Sequence, residues 1–126
     1  MVTQNFIDKF KPVVNESNDL KGTWQIVQWN PDIATREWHN IAVGFKYGDH
    51  QYQVFKWLDD FTKTEMLYGQ KTANYLKELI SFLQCCYGHN CYDISGQIRM
   101  IKVGFQRAES VEMALDRSYR RVITLA

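Results

Sequence analysis

Between Trp24 and Leu58 the chain carries three runs rich in Trp, Ile, Val, Phe and Tyr, cut by Asn30-Pro31-Asp32 and by Gly48-Asp49. β-branched and aromatic residues suit a pleated surface, and Pro, Asn, Asp and Gly supply the turns between them. The runs therefore predict three sequential antiparallel strands over 24–30, 38–47 and 50–58. In the first, Trp24, Ile26 and Gln28 point one way and Gln25, Val27 and Trp29 the other, so both faces carry large apolar groups and the strand belongs inside a sheet. In the second, His39, Ile41, Val43, Phe45 and Tyr47 form the core face. Ala42 and Gly44 leave room opposite them for a close neighbour, a helix or another stretch of backbone.

The flanking segments complete a sheet-and-helix pattern. Residues 61–68 read as a short helix or an irregular crossover that stops at Gly69. Residues 72–87 form the clearest helix, with Thr72 as its cap, Leu76, Leu79, Ile80, Leu83 and Tyr87 as its apolar stripe, and Gly88 as its end. A half-buried strand follows over 97–105, closed by Gly104. Ser110 then caps a last helix over 110–123, whose early Glu109, Glu112 and Asp116 and late Arg117, Arg120 and Arg121 suit the helix dipole. Residues 1–22, with Phe6, Phe10 and Val13 at helical spacing and Pro12 interrupting them, are an N-terminal docking helix or arm. Residues 23–126 are a single domain. The predicted class is α+β: an antiparallel sheet of about four strands with helices packed mainly on one face.

Composition narrows the classes of function. Lys plus Arg number 15 and Asp plus Glu 14, so no global field draws the chain to nucleic acid or to an anionic membrane. Asp8 and Lys9 break the first ten residues, and no apolar span reaches the ~20 residues that cross a bilayer. Three cysteines, two of them adjacent at Cys85 and Cys86, do not form a secreted disulfide framework. A cytoplasmic protein is expected.

The run Trp24-Gln-Ile-Val-Gln-Trp-Asn-Pro-Asp, followed by Glu37-Trp-His-Asn-Ile-Ala-Val-Gly, resembles the opening of a small bacterial family known only as domain of unknown function 3037. Its members share a strand, a Pro-Asp turn, a Glu and an Asn-Ile-Gly-Val-type second strand; Ile-Ala-Val-Gly stands here in place of the usual order. The ending Glu109-Ser-Val-Glu-Met-Ala-Leu-Asp-Arg-Ser-Tyr-Arg-Arg is similar to the family's terminal helix. The resemblance spans residues 23 to 123 and implies this fold and a bacterial or phage origin. It carries over no catalytic residue.

Several residue groups could carry chemistry. Cys85, Cys86, His89 and Cys91 offer zinc ligands, but zinc sites gather two separated pairs and no second pair is present, so no metal is expected. Glu37 and His39 share a strand face beside Asn40 and could serve as acid and base of a small hydrolase-type enzyme. An exposed start of a strand, with Asn40 holding the turn, explains them as well. Asp59-Asp60 lacks a phosphate-binding Gly loop and reads as a cap for the next segment. No complete nucleotide, metal or nucleophile motif occurs, and no cofactor is implied.

Three readings of function remain, in order. The first is a non-enzymatic interaction protein, antitoxin-like, defence-associated or defence-countering, that binds another protein or a second copy of itself. Its predicted surface is the sheet side left open by the helices, with Trp29, Trp38, Tyr52 and Trp57 as candidates, because Trp and Tyr concentrate at binding hot spots. Phe6 and Phe10 compete for that side from within the chain. The second is nucleic-acid binding through Arg99, Lys102 and Arg107 with Arg117, Arg120 and Arg121. An enzyme using Glu37 and His39, or Cys91, ranks last.

Overall fold

A strand from Leu20 to Trp29, β1, is paired on both sides. In the computed structural model, which describes residues 20–32, 34–48, 52–85 and 96–126, β1 lies antiparallel between β2 (His39–Tyr47) and β4 (Ile98–Ala108), and β3 (Tyr52–Trp57) flanks β2. The order is β3-β2-β1-β4. Three helices accompany this sheet: α1 (Thr62–Tyr68), α2 (Gln70–Cys85) and α3 (Val111–Val122). The predicted α+β class and four-stranded antiparallel sheet are what the chain forms. Among the described residues no helix is long and apolar enough to cross a membrane.

Two boundaries differ from the prediction for one reason. β4 does not end at residue 105 but continues to Ala108, and its last residues pair with Leu20, Lys21 and Gly22. Those residues therefore belong to the sheet and not to an arm over 1–22. The proposed helix or arm over 1–19 lies outside the described residues.

Residues opposite each other in an antiparallel pair share a face. Trp24 and Ile26 of β1, Val43 and Phe45 of β2, and Val54 and Lys56 of β3 define the first face; Gln25, Val27, Ala42, Gly44, Phe55 and Trp57 define the second. Helix α3 runs along the first face. Its Ala114 is buried with Phe45 and Ala108, Ser118 Oγ donates to Gln106 Oε1 at 3.2 Å, and Lys56 Nζ sits 2.6 Å from Asp116 Oδ1. The buried stripe of α2, Leu76, Ile80 and Leu83, joins the core that holds Val27, Trp29 and Ala42, with Phe55, Trp57 and Met100 packed against it.

The helix ends follow local chemistry. Ser110 Oγ accepts the Met113 N–H at 3.1 Å, the predicted cap of α3. Gly69, at φ 92°, ends α1 while its N–H donates to Glu65 O at 2.8 Å, and α2 starts at the next residue. Thr72 therefore lies within the first turn of α2 instead of capping it.

The space beside Gly44 is filled by a neighbouring strand's side chain. The Phe55 ring from β3 lies over the glycine, and a Cβ there would come within 2.4 Å of it. Gly44→Ala should destabilise the fold by about 1–3 kcal/mol, as overpacked cores do, and adding Phe55→Leu should recover part of the loss. Urea unfolding of the single and double variants measures both; equal loss in the two would show that ring crowding is not the cause.

Candidate functional site

The polar residues nearest the structural centre hold the fold's own elements together. β2 carries an extra residue, Ile41, between the pairs Val27↔Ala42 and Gln28↔Asn40, and this bulge brings Asn40 opposite Gln28 and His39 opposite Trp29. A chain of side-chain hydrogen bonds results. Arg99 Nε donates to Gln28 Oε1 at 2.7 Å, Gln28 Nε2 donates to Asn40 Oδ1 at 2.8 Å, and Asn40 Nδ2 donates to the Val122 carbonyl at 2.9 Å. Asn40 thus satisfies a carbonyl in the last turn of α3, where the helix has no partner of its own.

His39 faces α1. Its Nε2 lies 2.5 Å from the Tyr68 hydroxyl, which donates when the neutral ring carries its proton on Nδ1. Burial lowers the His39 pKa, partly opposed by the Glu37 carboxylate, and burial with the same carboxylate raises the Tyr68 hydroxyl. Both groups are neutral at pH 7. A raised phenol is the reverse of an activated nucleophile, and the imidazole nitrogen that could act as base is occupied. Asp60 Oδ1 accepts the Thr62 N–H at 3.0 Å and the Thr62 hydroxyl at 2.8 Å, which orders the start of α1.

The predicted tryptophan surface is not assembled. Trp29 is 1% exposed, packed against the His39 and Tyr68 rings, so it cannot serve as an exposed contact. The reason is α1, whose Tyr68 closes over the end of the sheet. Trp57 is half-buried beside Phe55, with ring centroids 5.7 Å apart. Trp38 is half-buried under the Arg99 guanidinium, 3.9 Å from its ring centroid. Tyr52 stands on β3 opposite Tyr47, and its side chain is outside the described residues.

The cations also divide. Arg99 sits at the Trp38 end of the sheet, Lys102 and Arg107 lie on the second face opposite Gln25 and Lys21, and Arg117, Arg120 and Arg121 ride on α3 beyond the first face. Of the cysteine cluster, Cys85 is exposed; Cys86, His89 and Cys91 lie outside the described residues. Among the described residues no three metal-ligating side chains come together.

What remains open is β4 and the neighbouring part of the second face. Among the described residues β4 is an edge strand, and Ile101, Val103 and Phe105 on it are exposed, Phe105 at 70%. Beside Phe105 runs a shallow groove of about 310 Å³ lined by Lys21, Thr23, Lys46, Tyr47 and Lys102. On the second face, every charged residue contributed by the described strands is a cation: Lys21, Lys46, Lys102 and Arg107. The strand predicted over 97–105 includes Phe105, but its half-buried pattern does not single that residue out as a surface candidate. Its cue was the absence of any acid between Ile98 and Ala108.

No family model matches the chain, and none of the curated proteins or solved structures compared with it is significantly similar. Function must therefore be argued from the surface itself.

Two outcomes follow from the polar groups. Asn40→Ala should cost about 1–3 kcal/mol in urea unfolding, because the Val122 carbonyl and the Gln28 amide lose their partner together. The second concerns pH. His39 binds its proton less readily folded than unfolded, so its contribution is complete above pH 6.5 and is lost as pH falls from 6.5 toward its lower folded value. The denaturation midpoint should drop across that window in the wild type and drop less in His39→Gln; identical profiles would refute the assignment.

Proposed function

We propose that this is a non-enzymatic interaction protein that works by binding another protein, in a bacterial or phage setting of the antitoxin-like, defence-associated or defence-countering kind. The observation that carries the reading is the surface of β4, where Ile101, Val103 and Phe105 stand exposed on a strand at the sheet's edge. Burying such a side chain is worth about 1.5–3 kcal/mol, and the three stand along one edge strand, Ile101 toward the first face and Phe105 toward the second, so that a partner at this edge meets apolar groups on both sides of it. The groups that could have run a reaction support the same reading, since His39 and Asn40 are engaged in holding α1 and α3. The resemblance to the family known as domain of unknown function 3037 is compatible with it and adds the bacterial or phage setting.

Nucleic-acid binding is the second reading, favoured by the groove with Lys21, Lys46 and Lys102. A gel shift that weakens steeply with salt would support it.

Phe105→Ser should abolish co-purification of the partner from the native cell, identified by mass spectrometry, while the circular dichroism spectrum stays unchanged. Loss of one such hot spot is worth about 2 kcal/mol, or roughly thirtyfold in Kd. A partner set identical to that of the wild type would overturn β4 as the contact.

A further inference from the structure

We infer that the outer edge of β4 receives an extended acidic segment of the partner as a fifth strand. The inference rests on the reading of this chain as a protein binder and states what part of the partner it takes.

Backbone geometry provides the first half of the argument. β4 is 11 residues long and, among the described residues, is paired on one side only, by β1. An edge strand presents alternate N–H and C=O groups outward, and an added strand satisfies them while its side chains settle beside those already on the edge. Ile101 is opposite Ile26 on the first face, and Lys102 and Phe105 are opposite Gln25 and Thr23 on the second. A strand laid beside them meets an aliphatic group on one side and a cation and an aromatic ring on the other.

Charge decides the occupant. β4 carries Arg99, Lys102 and Arg107 and no acid, with Lys21 and Lys46 on the same face as Lys102. A second copy fits badly: its own β4 brings Arg99, Lys102 and Arg107 and no acid against the same three cations, and like charges across an edge are destabilising. The exposed Lys102 likewise repels the β4 of a second copy and attracts an acidic strand. An acidic strand reverses the charge term. Nucleic acid fits less well than a peptide, because of the exposed apolar groups on β4 only Phe105 can stack on a base, and the chain's net charge is +1.

A displayed library of random peptides about nine residues long, selected against the full chain, tests the inference. Enriched peptides should alternate Asp or Glu with Val, Ile or Phe. A synthetic representative should lose about tenfold or more in affinity on Lys102→Glu, and a similar factor when alternate peptide amides are N-methylated, a change that needs no altered protein. Enrichment of peptides without acids, no enrichment at all, indifference to N-methylation, or a single-stranded oligonucleotide displacing the peptide from unmodified protein would each overturn it. A native partner held equally by wild type and Lys102→Glu would also overturn it, while leaving the protein-binding reading intact. Acidic peptides that bind as described, with no protein recovered from the native cell, would support the strand site and count against that broader reading.

Discussion

The structure depends on β1 having a neighbour on each side and cover on both faces. With β2 and β4 taking its two rows of backbone groups, the side chains from Gln25 to Trp29 are met from above or below the sheet. Ile26, Val27 and Trp29 are buried accordingly. Polar residues obey the same demand. Gln25 is 2% exposed and its Oε1 accepts from Gln53 Nε2 across the second face, and Gln28 links Arg99 on one flank to Asn40 on the other. A buried amide without such a partner would cost more than its hydrogen bond gains when made. The polar residues of the middle strands are thus chosen by the sheet's order.

Local chemistry was legible wherever it decides structure within a few residues. Alternation in Trp24–Trp29 and Ala42–Tyr47, the Pro31 stop, the Gly69 corner, the Ser110 cap and the stripe Leu76, Ile80, Leu83 all sit where the sequence places them, whereas the bulge at Ile41 takes His39 off the face of Val43, Phe45 and Tyr47. The ends of β1 and β4 were not legible, because Leu20–Gly22 become strand only by pairing with Gln106–Ala108 from the far end of the chain. Nothing in either segment alone announces the other.

The candidate surface was less legible for a related reason. Whether Trp29 is a contact or a core residue depends on Tyr68, and the segment that carries Tyr68 has an ambiguous local pattern. Whether Phe105 is core or surface depends on β4 being the outermost strand, which is a property of strand order and cannot be read from alternation. Glu37 and His39 do not share a strand face, because β2 begins at His39 and Glu37 precedes it. The bulge at Ile41 and the approach of α1, neither visible in the spacing, turned His39 toward a phenol instead of a substrate.

Joining the first strand of the sheet to the last also sets the order in which the molecule can form. β2 and β3 can close on β1 as a local meander while the rest of the chain is still emerging from the ribosome. The other side of β1 stays open until Ile98–Ala108 has been made. Closing so long a loop costs entropy before its contacts repay it, which places the step late and makes it slow relative to the hairpins. During synthesis, the strand destined for the centre of the sheet spends that interval as its exposed edge.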